Sequence, residues 1–165
     1  KNCELFIRSS VLVNRRISGI RFIVAGDGQE RERLEKLACD LGIGDSILFL
    51  GMRNDMPDVM AAFDLFVLSP HNEGFGRVLV EAMAAGAVPV ATRVGGTSDV
   101  VEDGVSGYVV PPGNPETIAD AVFKLIDDDA LRVKFRESGK LRAELFTFDA
   151  MVHTFEVLYE ELLHT

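Results

Sequence analysis

Short runs of consecutive apolar residues take turns along this chain with longer stretches whose apolar positions recur every three or four residues. The runs fall at 21–25 (RFIVA), 46–50 (SILFL), 65–68 (LFVL), 88–91 (VPVA) and 107–110 (GYVV). Strands covered on both faces read this way. The periodic stretches predict helices at 3–16, 30–41, 77–85 and 115–126. Asn2 and Asn114 stand at N-cap positions, Pro115 at the first helical position, and Gly42 and Gly86 just past helix ends. Shorter helical segments are expected from Asp55 to residue 62 or 63, with Asp55 as cap and Pro57 in the first turn, and at 98–102. The tail reads as helix at 131–146 and again at 148–163, the latter capped by Thr147 with Phe155, Leu158, Tyr159 and Leu162 on one face. Gly139 predicts a weak point inside the first of these.

Strand and helix alternate, so the expected fold is α/β: a Rossmann-like, doubly wound parallel sheet with C-terminal helices. Ligands of such sheets bind beyond the carboxyl ends of the strands. The glycine-bearing loops at 26–28, 74–76 and 95–96 all follow strand ends and are expected to meet at one edge.

A chain of 165 residues suits one domain, 1–165, with one core. The net charge of −9 argues against nucleic acid and acidic lipid surfaces as partners. A phosphorylated ligand would need a local positive site. Cys3 and Cys39 lie in predicted helices without metal-ligand spacing, which suits reduced thiols and a cytoplasmic setting. No apolar run is long enough to span a membrane, and no signal peptide is visible at Lys1.

The stretch 69–92 carries the candidate chemistry. Gly74 and Gly76 strip side chains from a helix entry, where unpaired N–H groups and the helix dipole favour an anion. Glu81 is the one acid in a helix otherwise made of apolar and small residues plus Arg77. Two explanations stand. Glu81 faces a ligand, or it pairs with Arg77 at i,i+4 spacing on a solvent face. Glu73 is likewise either a ligand group or an ordinary loop acid before a helix. Gly26-Asp27-Gly28 suggests a dinucleotide fingerprint, but Arg31 replaces the third glycine, so a tight βα turn explains it better and a nicotinamide dehydrogenase is disfavoured. His71 reads as a loop residue near the cleft, and His153 and His164 as tail residues without a role. The acidic run 127–129 ends a surface helix and reads as solvated.

EGFGRVLVEAMAAGAVPVAT followed by VGGTSDVVEDGVSGYVVPPGNPETIADAV resembles the C-terminal, donor-binding half of a GT-B glycosyltransferase of the retaining group 1 family. GDGQERERLEKLA and ILFLGMRNDMPDVMAAFDLFVLSP fit it too, so the resemblance covers essentially the whole chain. The family's signature is two glutamates separated by seven residues, here Glu73 and Glu81. The resemblance implies an enzyme that moves a sugar from a nucleotide diphosphate sugar to an acceptor hydroxyl, with no cofactor and no metal. Glu73 would be the catalytic glutamate beside the donor sugar. Glu81 would accept hydrogen bonds from the ribose hydroxyls. Backbone amides at Gly74, Phe75 and Gly76 would reach the sugar and distal phosphate. Gly51, Met52 and Arg53 would frame the base, with Gly26 and Gly28 lining the same cleft.

The chain departs from that pattern at its start. The family's first strand and most of its basic pair are absent, with only Lys1 left to meet the diphosphate. That strand would be central, between 21–25 and 65–68. The expected consequences are unpaired strand edges there, open to swapping or homo-oligomerisation, and an acceptor-binding domain missing from this chain. Any peripheral association with a membrane would come through that domain. Two other functions fit less well: half of a sugar-nucleotide epimerase, and a non-catalytic nucleotide-binding module.

Overall fold

The computed structural model describes residues 1–163, so the reading of His164 lies outside the described residues. The chain runs α1 (Cys3–Arg16), β1 (Phe22–Ala25), α2 (Arg31–Asp40), β2 (Ile47–Gly51), α3 (Met56–Ala61), β3 (Leu65–Leu68) and α4 (Arg77–Ala84). It continues through β4 (Val88–Thr92), α5 (Thr97–Val100), β5 (Tyr108–Val110), α6 (Pro115–Asp127), α7 (Asp129–Glu144) and α8 (Phe148–Leu163). Every expected element is present, with boundaries displaced by at most a few residues. A 3-10 turn at Gly44–Ser46 was not foreseen.

All the ladders are parallel. β1 pairs with β2, and β3, β4 and β5 form a second sheet in that order. No ladder joins β1 to β3, as the expected gap in the sheet requires. The two-residue period of the strands sorts the interior into two cores. Phe22, Ile47, Val88, Val90 and Val110 point to one face, where they pack with α1, α2 and α6. Leu68, Ala91 and Val109 point to the other, against Leu79 and Met83 of α4 and Val100 of α5. The first core is continuous across both sheets, and α1 packs on α6 within it. Helix burial thus holds together two half-sheets that share no strand ladder.

Local chemistry explains the ends. Asn114 Oδ1 accepts from the N–H of Glu116 and caps α6. Beyond α4, Gly86 adopts φ +90, and the N–H groups of Gly86 and Ala87 donate back to the carbonyls of Met83 and Ala82. This is the left-handed helix stop that glycine permits. Three expectations need correction. α7 passes through Gly139 unbroken, because a Cβ there would stand 3.4 Å from Met83 Cγ and the glycine lets α7 close on α4. Asp55 does not cap α3; its carboxylate is taken by Arg53. The acidic run is partnered, not merely solvated: Asp127 pairs with Arg16, Asp128 caps α7 through the N–H of Leu131, and Asp129 pairs with Arg132. Among the described residues, no helix is long and apolar enough to cross a membrane.

Leu125 of α6 has no exposed surface, whereas Leu48 on β2 is 55% exposed. Leu125→Ala should lower unfolding stability by about 2–5 kcal/mol, and Leu48→Ala by no more than about 0.5 kcal/mol. Urea unfolding of both variants measures the difference.

Candidate functional site

The exit of β3 is tied down before it reaches the acids. Ser69 Oγ donates to the carbonyl of Asn2, and Thr92 Oγ1 donates to the carbonyl of Pro70. Thr97 Oγ1 in turn donates to the carbonyl of Thr92. The ends of β3 and β4 and the start of α1 are therefore one hydrogen-bonded unit. Asn2 accepts a left-handed backbone, φ +53, to turn the chain into α1 there.

The turn at 73–76 rests on a second glycine pair. The N–H of Gly96 donates to the carbonyls of both Glu73 (3.3 Å) and Gly74 (3.1 Å). A Cβ on Gly95 would fall 1.7 Å from the carbonyl oxygen of Glu73, and one on Gly96 would fall 2.6 Å from that of Gly74. Only glycine fits at these two places, backbone against backbone. Gly76, at φ +84, occupies the N-cap of α4 and offers no side chain to cap it. The N–H of Leu79 folds back to the carbonyl of Gly76 at 2.8 Å. The amides of the first turn ahead of it are left for an outside acceptor.

The two glutamates differ. Glu73 is largely buried, its side chain 15% exposed, and its carboxylate takes the ammonium of Lys1. Glu81 is 46% exposed and lies 3.0 Å from Nε of Arg77, which is itself 86% exposed. The i,i+4 pairing open at the sequence level is thus formed, with one partner almost wholly in water. Such a pair is worth only about 0.3–0.5 kcal/mol and is easily traded for another donor. Phe75 packs edge-on against Phe146, ring centroids 5.6 Å apart. Its backbone, not its ring, belongs to the turn. His71 is exposed in the loop ahead of the turn.

A second group forms at the ends of β1 and β2. The N–H of Gly26 donates to the carbonyl of Gly51 at 2.9 Å, so both loops leave the sheet together. Gly28 donates to Asp27 Oδ1. Arg31 explains the missing third glycine: it reaches Glu35 at 2.8 Å and donates to the carbonyl of Phe49. A Cβ on Gly51 would meet its guanidinium at 2.8 Å. Met52 is exposed. Arg53 Nε donates to Asp55 at 2.8 Å and holds that carboxyl below the usual carboxylate range, while the guanidinium is raised above its own. A lowered carboxyl keeps this clasp formed at neutral pH and loses it only as pH falls through the lowered value.

The structure therefore brings Lys1, Glu73, Gly74 and Gly76 together with Gly95 and Gly96. It brings Gly26 and Gly51 together in a separate group, with Arg31 beside them. No hydrogen bond or ion pair among the described residues links the two groups. Sequence reasoning missed Thr92, Thr97 and the supporting role of Gly95-Gly96. The adjacent glycines after a strand were the available signal.

Gly95→Ala should displace the 73–76 turn and cost more than about 2 kcal/mol, as forced overpacking does. Gly28→Ala, which meets nothing within 4 Å, should be nearly neutral. Amide chemical shifts of Gly74 and Gly76 should move in the first variant and stay in the second.

A family model described as "Glycosyl transferases group 1" matches residues 1–142. The lipopolysaccharide core biosynthesis glycosyltransferase LpsE of Rhizobium meliloti is 37% identical over 124 residues, covering 75% of this chain and 36% of that protein. The D-inositol 3-phosphate glycosyltransferase of Corynebacterium jeikeium is 40% identical over 137 residues, 82% of this chain and 33% of that one. Among solved structures, Anabaena HepE in complex with UDP and glucose superposes with a TM-score of 0.81 at 30% identity, covering 97% of this chain and 44% of HepE. The C-terminal domain of the Francisella tularensis group 1 family protein LpcC gives 0.80 at 28% identity, covering 88% and 79%. The chain spans well under half the length of the curated relatives it matches. It belongs to the group 1 family of glycosyltransferases.

Proposed function

We propose that this chain is the donor-binding part of a retaining glycosyltransferase that takes its sugar from a nucleotide diphosphate sugar. The observation that carries this reading is the uncapped N-terminus of α4, framed by glycine and flanked by Glu73 and Glu81. HepE, a relative of similar fold, holds UDP and glucose, which supports the same class of ligand here.

The residues divide the work by charge. The amides opening α4, and the helix dipole behind them, favour the departing phosphate. Preorganised donors of this kind lower the barrier to loss of a nucleoside diphosphate and to growth of positive charge on the sugar. Glu73, held in place by Lys1, sits where that positive charge would develop. Glu81 offers acceptors on two oxygens to vicinal ribose hydroxyls, which replace Arg77 as its partner. Lys1 supplies local positive charge to the diphosphate against the acidic net charge of the chain. Gly51, Met52 and Arg53 frame the base, with Gly26 and Gly28 beside them. No metal is needed in this scheme. The acceptor is selected by residues outside this chain, and the transfer takes place in the cytoplasm.

Titration with UDP, GDP and ADP, alone and as sugar conjugates, tests the reading. One nucleotide should bind, and Glu81→Ala should weaken it by about 10- to 100-fold, the cost of losing hydrogen bonds to a charged group. Unchanged affinity in that variant would contradict the role of Glu81. By itself the chain should transfer little or no sugar to an added acceptor; robust transfer would contradict the division of labour.

A further inference from the structure

Between the two half-sheets lies a cavity of about 860 Å³. All of β1 and all of β3 line it, one strand on each side. β1 is hydrogen-bonded only to β2, and β3 only to β4. Along each strand half of the backbone N–H and C=O groups point away from its partner, so two rows of donors and acceptors face each other across this slot. The remaining walls are mainly apolar. Phe6 and Val13 of α1 and Val122 and Ile126 of α6 close one side, with Met60 of α3 and Val78 of α4 also contributing.

Three kinds of occupant can be compared. Water satisfies the backbone rows but leaves the apolar walls wet. A small apolar molecule covers the walls but leaves two rows of peptide groups without partners, at about 1–3 kcal/mol for each buried group. An extended polypeptide segment meets both demands: its backbone has donors and acceptors on both edges, and its side chains alternate between the two walls. β1 and β3 are both four residues long, which sets the length of the segment. Apolar walls on either side call for β-branched residues at successive positions. Since each ladder already present is parallel, the added strand runs parallel as well.

We infer that the slot is a receptor for a single extended, β-branched peptide strand supplied by a separate polypeptide, which joins β1 to β3 and turns two half-sheets into one. This site is distinct from the acids and glycines of the donor pocket, none of which lines it except Lys1 at its rim. The inference therefore does not depend on the proposed function.

The test uses the whole chain and a short synthetic peptide with a central Val-Ile-Val-Ile run and lysine ends. Amide hydrogen exchange is followed at residues 22–25 and 65–68, with β4 as the internal reference because it is paired on both sides. Saturating peptide should slow exchange by at least about tenfold at the slot-facing amides of β1 and β3, leave β4 unchanged and raise the melting temperature. The same peptide with a central proline, which cannot complete a ladder, should do neither. Equal protection by the proline peptide would overturn the inference, since the slot would then be a generic apolar hollow. Absence of protection, or protection confined to the exposed apolar face of α8, would overturn it too. So would protection that rises with protein concentration alone, which would make a second copy of this chain the occupant.

Discussion

Everything at the candidate site depends on a place where two loops touch without side chains. Gly95 and Gly96 press their backbones onto the carbonyls of Glu73 and Gly74, closer than any Cβ would allow. That contact fixes the turn, the turn sets Gly76 as the start of α4, and α4 carries Glu81. Position and charge follow from a packing constraint that excludes every residue but glycine. The threonines behind it, Thr92 and Thr97, bind the same two strand ends from within.

The two glutamates show how environment separates identical side chains. Glu73 is largely buried and held by Lys1, so it is presented in one orientation. Glu81 stands half in water with a weak, exposed partner. A buried carboxylate needs its cation because an uncompensated charge is costly. An exposed one can change partners at little cost. The pair therefore combines a fixed group with an exchangeable one, as expected where one side handles developing charge and the other grips a ligand's hydroxyls.

Much of this was readable in the sequence, for physical reasons. Apolar runs and caps identified the strands and helices because the fold buries both faces of its sheets, leaving few ambiguous segments. Gly74, Gly76 and the seven-residue spacing of the acids pointed to the turn. Other features were hidden because they depend on contacts distant in the chain. Gly139 looked like a break until α4 was seen against it. Arg31 looked like a defective fingerprint, yet it anchors the Gly51 loop through the Phe49 carbonyl. Asp55 looked like a cap, but a guanidinium two residues away binds it first. In each case a tertiary or side-chain partner outweighed a local preference of about a kilocalorie per mole or less.

The most direct test of the central claim is to map where UDP touches the chain by amide chemical shifts. The account predicts that the largest changes fall on Gly74 to Val78, with smaller ones at Gly95 and Gly96, which support that turn. Changes confined to the slot between β1 and β3, or to α8, with the α4 entrance silent, would contradict it.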